Sequence, residues 1–428
     1  MKLRKIDTII IVALIVVSTL FLYRADYISS ILPNNHSSGD NNTTTTPLPP
    51  EILPIPPTSL IPAYRRDVSA ADEGVHFSEL RVAREWWYFN AVFNDSASQL
   101  NNWAVAVSFN HMARGDLLGT NKPDLLVVSL LGNSSEAYGG MINKEHYLGI
   151  LKEGTLVADT PGVKVSFENS WAEGTYPRWH VHAEDLDIDS AHVIVIDLEY
   201  TAQSLPLWVF GSRAFDKSEG EVANYIILGC EVSGTVSIDG QTFTVKGTGS
   251  QEHSWTPNAI TRLAIGGWDW MSFTLDNGWE IYEASYLPNP QAVSGALPRL
   301  NPFGTLLITT DHGTTVTELK DVNLRITKKD EKVFPLVKLP ARFSLEADPS
   351  LDPLYLVSQG LLFGTKTTLK GDIDISHATT KIWKFPSYVG MKIGYCSIDG
   401  TISWTDTDGD HSVPIHGVGV SWDMRALL

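Results

Sequence analysis

The chain repeats itself once, and that repeat limits it to an architecture that can be built twice over. Glu85-Trp86-Trp87-Tyr88-Phe89 opens an alternating segment that runs to Asp95, and Gly267-Trp268-Asp269-Trp270 opens one that runs to Asp276. Aligning Trp87 with Trp268 also matches Phe89 with Trp270, Ala91 with Ser272 and Asp95 with Asp276. A second pair of segments closes each half. Gly234-Thr235-Val236-Ser237 then Gly247-Thr248-Gly249-Ser250 ends at Trp255; Gly400-Thr401-Ile402-Ser403 then Gly417-Val418-Gly419-Val420 ends at Trp422. Two matches in the same order argue for duplication over chance. The period is too long for a solenoid, and each copy is the size of a β-barrel able to enclose one ligand.

The body reads as strands. Short alternating runs are separated by turn residues: Asp276-Asn277-Gly278 between Trp268–Leu275 and Trp279–Tyr286, Asp239-Gly240 after Ser237-Ile238, and Asp311-His312-Gly313. No long helical period follows the N-terminal segment. The expected fold is all-β, two antiparallel barrels side by side, with residues 71–257 forming the first domain and 258–428 the second, joined near Asn258.

Ahead of the body, Lys2, Arg4 and Lys5 precede an apolar run from Thr8 to about Tyr23. That length spans a bilayer with snorkelling flanks. A cleaved signal peptide is the competing reading, but no small-x-small cleavage site follows the bulky Leu20–Tyr23 stretch. We therefore expect residues 1–27 to be a single-pass anchor, N-terminus inside, with the domains outside the cell at the membrane. Residues 28–70, rich in Ser, Thr, Asn and Pro, read as an extended tether. Asn35, Asn41, Asn42, Asn94 and Asn133 each begin a glycosylation sequon.

Net charge is −17, which excludes a nucleic-acid partner because phosphate contacts need basic patches. The two cysteines, Cys230 and Cys396, are too far apart for a C-x-x-C or zinc-ribbon motif and leave open one disulfide or two buried thiols.

The opening Glu85-Trp86-Trp87-Tyr88-Phe89 resembles the AttH-like and carotenoid 1,2-hydratase (CrtC) group of lipocalin-like proteins. The closing Gly249-Ser250-Gln251-Glu252-His253-Ser254-Trp255 resembles it too, and the tract from Trp179 to Asp187 is similar in flavour. The resemblance covers most of the chain after the tether and implies two lipocalin-like barrels doing cofactor-free chemistry on apolar substrates. Hydration of an isolated double bond requires a desolvated carboxylic acid, whose pKa burial raises, and aromatic faces that stabilise a cation. The family motif sets an Asp between two His, then Asn and Trp. Here Glu252 stands at the Asp position and His253 and Trp255 match, while Gln251 replaces the first His, Ser250 a Tyr and Ser254 the Asn.

Read from the residues alone, Glu85 beside two Trp, Glu252 beside His253 and Trp255, and Asp269 between Trp268 and Trp270 all combine acid with aromatic. Carboxylates converging inside an apolar barrel would make a site. Against that stands a structural role, with Glu85 and Glu252 bonding backbone where strands enter and the Trp rings plugging a barrel end. On a strand, Trp268 and Trp270 point one way and Asp269 the other. The candidate catalytic residues are Glu252, His253 and Glu85. The candidate ligand-binding residues are Trp86, Trp87, Tyr88, Trp255, Trp268, Asp269 and Trp270, with Trp87, Trp255 and Trp268 lining the pocket. His180, His182 and Glu184 share a strand face, which is either a metal pair or a solvated surface; Asp406–Asp410 reads as a hairpin turn that lacks the downstream Glu of an EF-hand. No metal or cofactor is expected. Two functions follow: acid/base hydration or isomerisation of a terpenoid or other lipid, or carriage of such a ligand without turnover.

Overall fold

The structure, a computed structural model, describes residues 67–77, 82–112, 124–142, 156–187, 192–209, 223–257, 265–288, 303–320, 323–328, 331–334, 337–339, 342–347, 369–385, 389–406 and 409–426. The apolar run, nearly all of the tether, the sequons at Asn35, Asn41 and Asn42, and the joint near Asn258 lie outside these residues. Asn94 and Asn133 are exposed. Among the described residues no helix is long and apolar enough to cross a membrane.

The described chain is all-β and forms two large curled antiparallel sheets. In the first, the opening strand Val82–Phe93 pairs on one side with Ala104–Met112 and on the other with Gln241–Pro257, the last strand of that sheet. The second repeats this connectivity: Ile265–Leu275 pairs with Glu280–Pro288 and with the final strand Gly409–Ala426. The turns fall where the turn residues stand. Ile238 pairs with Gln241 around Asp239-Gly240, whose φ angles of 50° and 83° are left-handed, and Asp406 pairs with Gly409 in hairpin register.

Burial follows from what covers each face. His192–Thr201 has one face inward and alternates buried positions with half-buried or exposed ones. Leu125–Leu131 is buried at every position, because Leu126, Val128 and Leu130 join the core inside the first curl while Leu125, Val127 and Leu131 pack outward against the second sheet. That outward cluster joins Tyr88, Val92, Ala104 and Ala106 of the first sheet to Ile393, Tyr395, Val420, Trp422 and Met424 of the second. A separate core fills the second curl around Met271, Phe273, Ile281, Ile375, Ile398 and Trp404. Each large side chain so buried contributes about 1.5–3 kcal/mol. Cys230 and Cys396 are free and buried, so the disulfide alternative does not hold.

Close backbone approaches set the register of the repeat. Gly249 lies opposite Ala91 and Gly419 opposite Phe273; a Cβ on Gly249 would meet the Asn90 carbonyl oxygen at 2.0 Å, and one on Gly419 the Ser272 carbonyl oxygen at 1.9 Å. Asn90 and Ser272 are thus equivalent positions. The duplication stands, but its alignment moves by one residue: Trp86 matches Trp268 and Tyr88 matches Trp270, where the sequence alignment had set Trp87 on Trp268. A one-residue slip exchanges the two faces of a strand, so this correction decides where every aromatic in the motif points.

Candidate functional site

The ten candidate residues occupy three places. Glu85, Trp87, His253 and Trp255 face the interior of the first curl. Trp86, Tyr88, Trp268 and Trp270 face the region between the sheets, and Glu252 is there with them. Asp269 points into the second curl. Glu85 and Glu252 therefore do not converge. Trp87 and Trp255 do not line one pocket with Trp268, because they stand on the opposite face of their sheet.

Inside the first curl, Glu85 is fully buried and accepts from the backbone N–H of His76 at 3.0 Å and of Phe77 at 2.8 Å. The rings of His76 (Nδ1, 3.0 Å) and His253 (Nε2, 2.9 Å) meet the same Oε1. Burial works to raise its pKa, but the hydrogen bonds from His253 and His76 outweigh burial and bring it down to about 2. Nδ1 of His253 lies 3.0 Å from the Asp72 carbonyl oxygen, which only accepts, so that nitrogen carries a proton. Nε2 then faces a carboxylate oxygen, and a shared proton must lie between them. Burial, with the charge of neighbouring His76, works to depress His253, while the Glu85 carboxylate at 2.9 Å and the Asp72 carbonyl work to hold its protons in place. Segment 67–77 is pinned by indoles as well. Trp87 donates to the Glu73 carbonyl at 3.0 Å, Trp208 to the Asp67 carbonyl at 2.9 Å and Trp179 to the Glu73 carboxylate at 2.8 Å. The segment plugs the curl, the tryptophans hold it there and Glu85 bonds its backbone at His76 and Phe77.

Between the sheets, Trp86, Trp268, Trp270, Trp422 and Met391 wall an apolar cleft with an open volume of about 40 Å³, and Arg84, Asn110, His111 and Leu125 complete it. That is room for a few waters; a larger guest must displace rings. Trp86 packs on Trp270 at 5.2 Å and Arg84 lies 5.9 Å from the Trp268 ring centre. His111, from Ala104–Met112, has its Nδ1 2.8 Å from Asp124 Oδ1 and stacks on Phe77 at 3.9 Å. This dyad, with Arg84 and Trp422, was missed in the sequence; only the pairing of separate segments brings His111 to Asp124. Behind the wall, Glu252 accepts from Trp86 Nε1 at 3.2 Å and Asn224 Nδ2 at 2.8 Å. Burial raises its carboxyl to about 7 against the hydrogen bonds from Trp86, Asn224 and Tyr282.

Within the second curl, Asp269 accepts from Arg425 at 2.8 Å, and Asp423 lies 3.5 Å from Lys392 and 3.3 Å from His377. Burial and the neighbouring Asp423 raise Asp269 to about 7 despite Arg425. Asp269 and Asp423 pair across the strands where the first sheet pairs Trp87 with His253. On the outer face of the first sheet, His180 and His182 both meet Asp197, at 2.8 and 2.9 Å.

No family model and no curated protein matches the chain in sequence. Among solved structures, an assigned AttH from Nitrosomonas europaea superposes over 90% of this chain and 100% of its own, with a TM-score of 0.52 at 13% identity. Kievitone hydratase from Nectria haematococca superposes over 83% of this chain and 90% of its own, with a TM-score of 0.54 at 12% identity. The chain therefore has the lipocalin-like fold of the AttH and hydratase structures, which is what its Glu-Trp-Trp-Tyr-Phe opening led us to expect.

Proposed function

We propose that the chain takes an apolar, unsaturated lipid or terpenoid into the tryptophan cleft between its two lipocalin-like barrels and carries out cofactor-free acid/base chemistry there, hydration or isomerisation. The observation that supports it most is the meeting of four indoles with the His111–Asp124 pair in one cleft. Indole faces stabilise a carbocation, and a histidine held by a carboxylate keeps one tautomer and is oriented to pass a proton. Glu252, an acid poised near pH 7, stands one indole behind the wall and supplies the proton once Trp86 turns aside. One structure of the same fold is, by its name, a hydratase.

The runner-up is a carrier with the same cleft and no turnover. In either reading the body stands outside the cell, held at the membrane by the apolar run from Thr8 to Tyr23; the support for that is sequence alone. Titrating the chain with a conjugated polyene and following tryptophan fluorescence tests the site: Trp270→Ala should weaken binding at least tenfold, and unchanged affinity would remove the cleft from the argument. His111→Asn and Glu252→Gln then divide the two readings, since an enzyme loses turnover and keeps affinity whereas a carrier changes in neither.

A further inference from the structure

The His76–Glu85–His253 cluster lies on the other face of the sheet from the cleft, and acid/base chemistry in the cleft does not use it. We propose that it is a binding site for one divalent transition metal of the zinc class.

Three arguments carry this. The donor atoms come from three separate segments: His76 Nδ1 from the plug, Glu85 from Val82–Phe93 and His253 Nε2 from Gln241–Pro257. All lie within 4.8 Å of one another. Two nitrogens and one carboxylate oxygen form a donor set suited to zinc, which commonly takes three protein ligands and leaves a fourth position open.

The spacing is also near what a metal needs. Both ring nitrogens approach the same Glu85 oxygen, at 3.0 and 2.9 Å. Neighbouring ligands around a tetrahedral zinc stand roughly 3.3 Å apart, so these two contacts must open by only a few tenths of an ångström.

The outer partners are already arranged. The Asp72 carbonyl fixes the proton on Nδ1 of His253 and so aims Nε2 at the cluster, as the second hydrogen bond of a metal-bound histidine does. Both oxygens of Glu85 are steadied by backbone N–H groups. Trp255 stacks on His76 at 3.7 Å and Trp87 on His253 at 4.7 Å, which sets both ring planes. With its Nδ1 proton committed to the Asp72 carbonyl, His253 meets the Glu85 carboxylate through a second proton on Nε2, and a divalent metal takes the place of that proton. His253 and Glu85 are sealed from solvent while His76 is half-buried, so the ion enters from the His76 side.

The test uses the whole untagged chain, stripped with chelator and titrated with Co²⁺. One equivalent should bind with the intense visible bands of a tetrahedral site, and the thermal midpoint should rise with added metal. His76→Gln should weaken binding at least tenfold, and the His180→Ala/His182→Ala double variant should bind like the parent. Equilibrium dialysis showing no bound Co²⁺ at micromolar concentrations would overturn the proposal and leave a shared proton as the only cation. Undiminished binding by His76→Gln, or loss in the surface double variant, would also overturn it by assigning the ion elsewhere. Apolar-ligand binding in the cleft reads out separately, so either result leaves that reading standing or falling on its own.

Discussion

Asn90 and Ser272 occupy the same position in the two repeated units and hydrogen-bond to each other, Asn90 Nδ2 to Ser272 Oγ at 3.2 Å. A contact between equivalent residues is the mark of a two-fold arrangement, here folded within one chain. Asn90 also donates to Ser250 at 2.7 Å. Its neighbours are buried, so removing the amide leaves Ser250 and Ser272 with only each other, at 3.4 Å.

Asn90→Ala should accordingly cost about 1–3 kcal/mol and Ser272→Ala about 1 kcal/mol. A double-mutant cycle by urea unfolding should give a coupling of at least 0.5 kcal/mol by order of magnitude; simple additivity would mean that the two units merely touch there.

The glycines beside that pair hold the sheets to their register. A methyl at Gly419 would lie 1.9 Å from the Ser272 carbonyl oxygen, and one at Gly249 2.0 Å from that of Asn90. Backbone atoms cannot yield as side chains do. Gly419→Ala and Gly249→Ala should each destabilise by about 1–3 kcal/mol or more, read as a fall in urea midpoint. Ser412→Ala, on an exposed position of the same final strand, should shift it little.

These same glycines explain what could be read from the sequence and what could not. The duplication, the all-β class and the hairpins at Asp239-Gly240 and Asp276–Gly278 were legible because turn chemistry and alternation are local. The alignment of Trp87 with Trp268 was one residue out because the first unit offers two adjacent indoles, Trp86 and Trp87, as matches for Trp268, and side-chain type does not say which of two neighbours faces in. The answer lies in cross-strand pairing, Gly249 against Ala91 and Gly419 against Phe273. For the same reason Glu85 and Glu252 were grouped as one site although they stand on opposite faces. His76 carried no signal at all, since only the packing of segment 67–77 against the sheet brings it to Glu85.

If the cleft takes up an apolar ligand, Trp422 reports it. It lines the cleft and packs at 5.4 Å on Tyr88. The parent's fluorescence should quench on binding a polyene, and Trp422→Phe should lower the quench while leaving affinity within a few fold. Trp255→Phe, inside the first curl, should change neither. Equal effects from the two variants would argue against the cleft.

Glu85 makes stability depend on acid. Its pKa in the folded chain is about 2, below the ordinary 4.5, so its contribution is fully present above pH 4.5 and is lost as the pH falls towards 2. That loss is roughly 3 kcal/mol. Glu85→Gln leaves His253 without its carboxylate and should cost about 3–5 kcal/mol at neutral pH. The variant should also unfold with a shallower dependence on pH between 4.5 and 2, as followed by urea midpoints across that range.

Glu252 acts in the opposite sense and in a different window. Burial raises its pKa from 4.5 to about 7, so between these values the folded chain holds a proton that the unfolded chain has released. Stability falls with rising pH wherever the folded state binds more protons. The contribution of Glu252 is therefore greatest below pH 4.5, declines from 4.5 to 7 by up to roughly 3 kcal/mol, and is level above. Glu73, raised to about 7 chiefly by burial, adds a slope of the same sign, so the parent alone does not isolate one residue. The comparison with Glu252→Gln does: the amide keeps an oxygen for Trp86 Nε1 and Asn224 Nδ2 and does not titrate. Urea unfolding at pH 5 and pH 7.5 should show the parent losing more stability across that interval than the variant. A variant that keeps the full parental slope would mean that Glu252 is already ionised across the whole interval from pH 5 to 7.5, and the proton it is asked to give in the cleft would have to come from His111 alone.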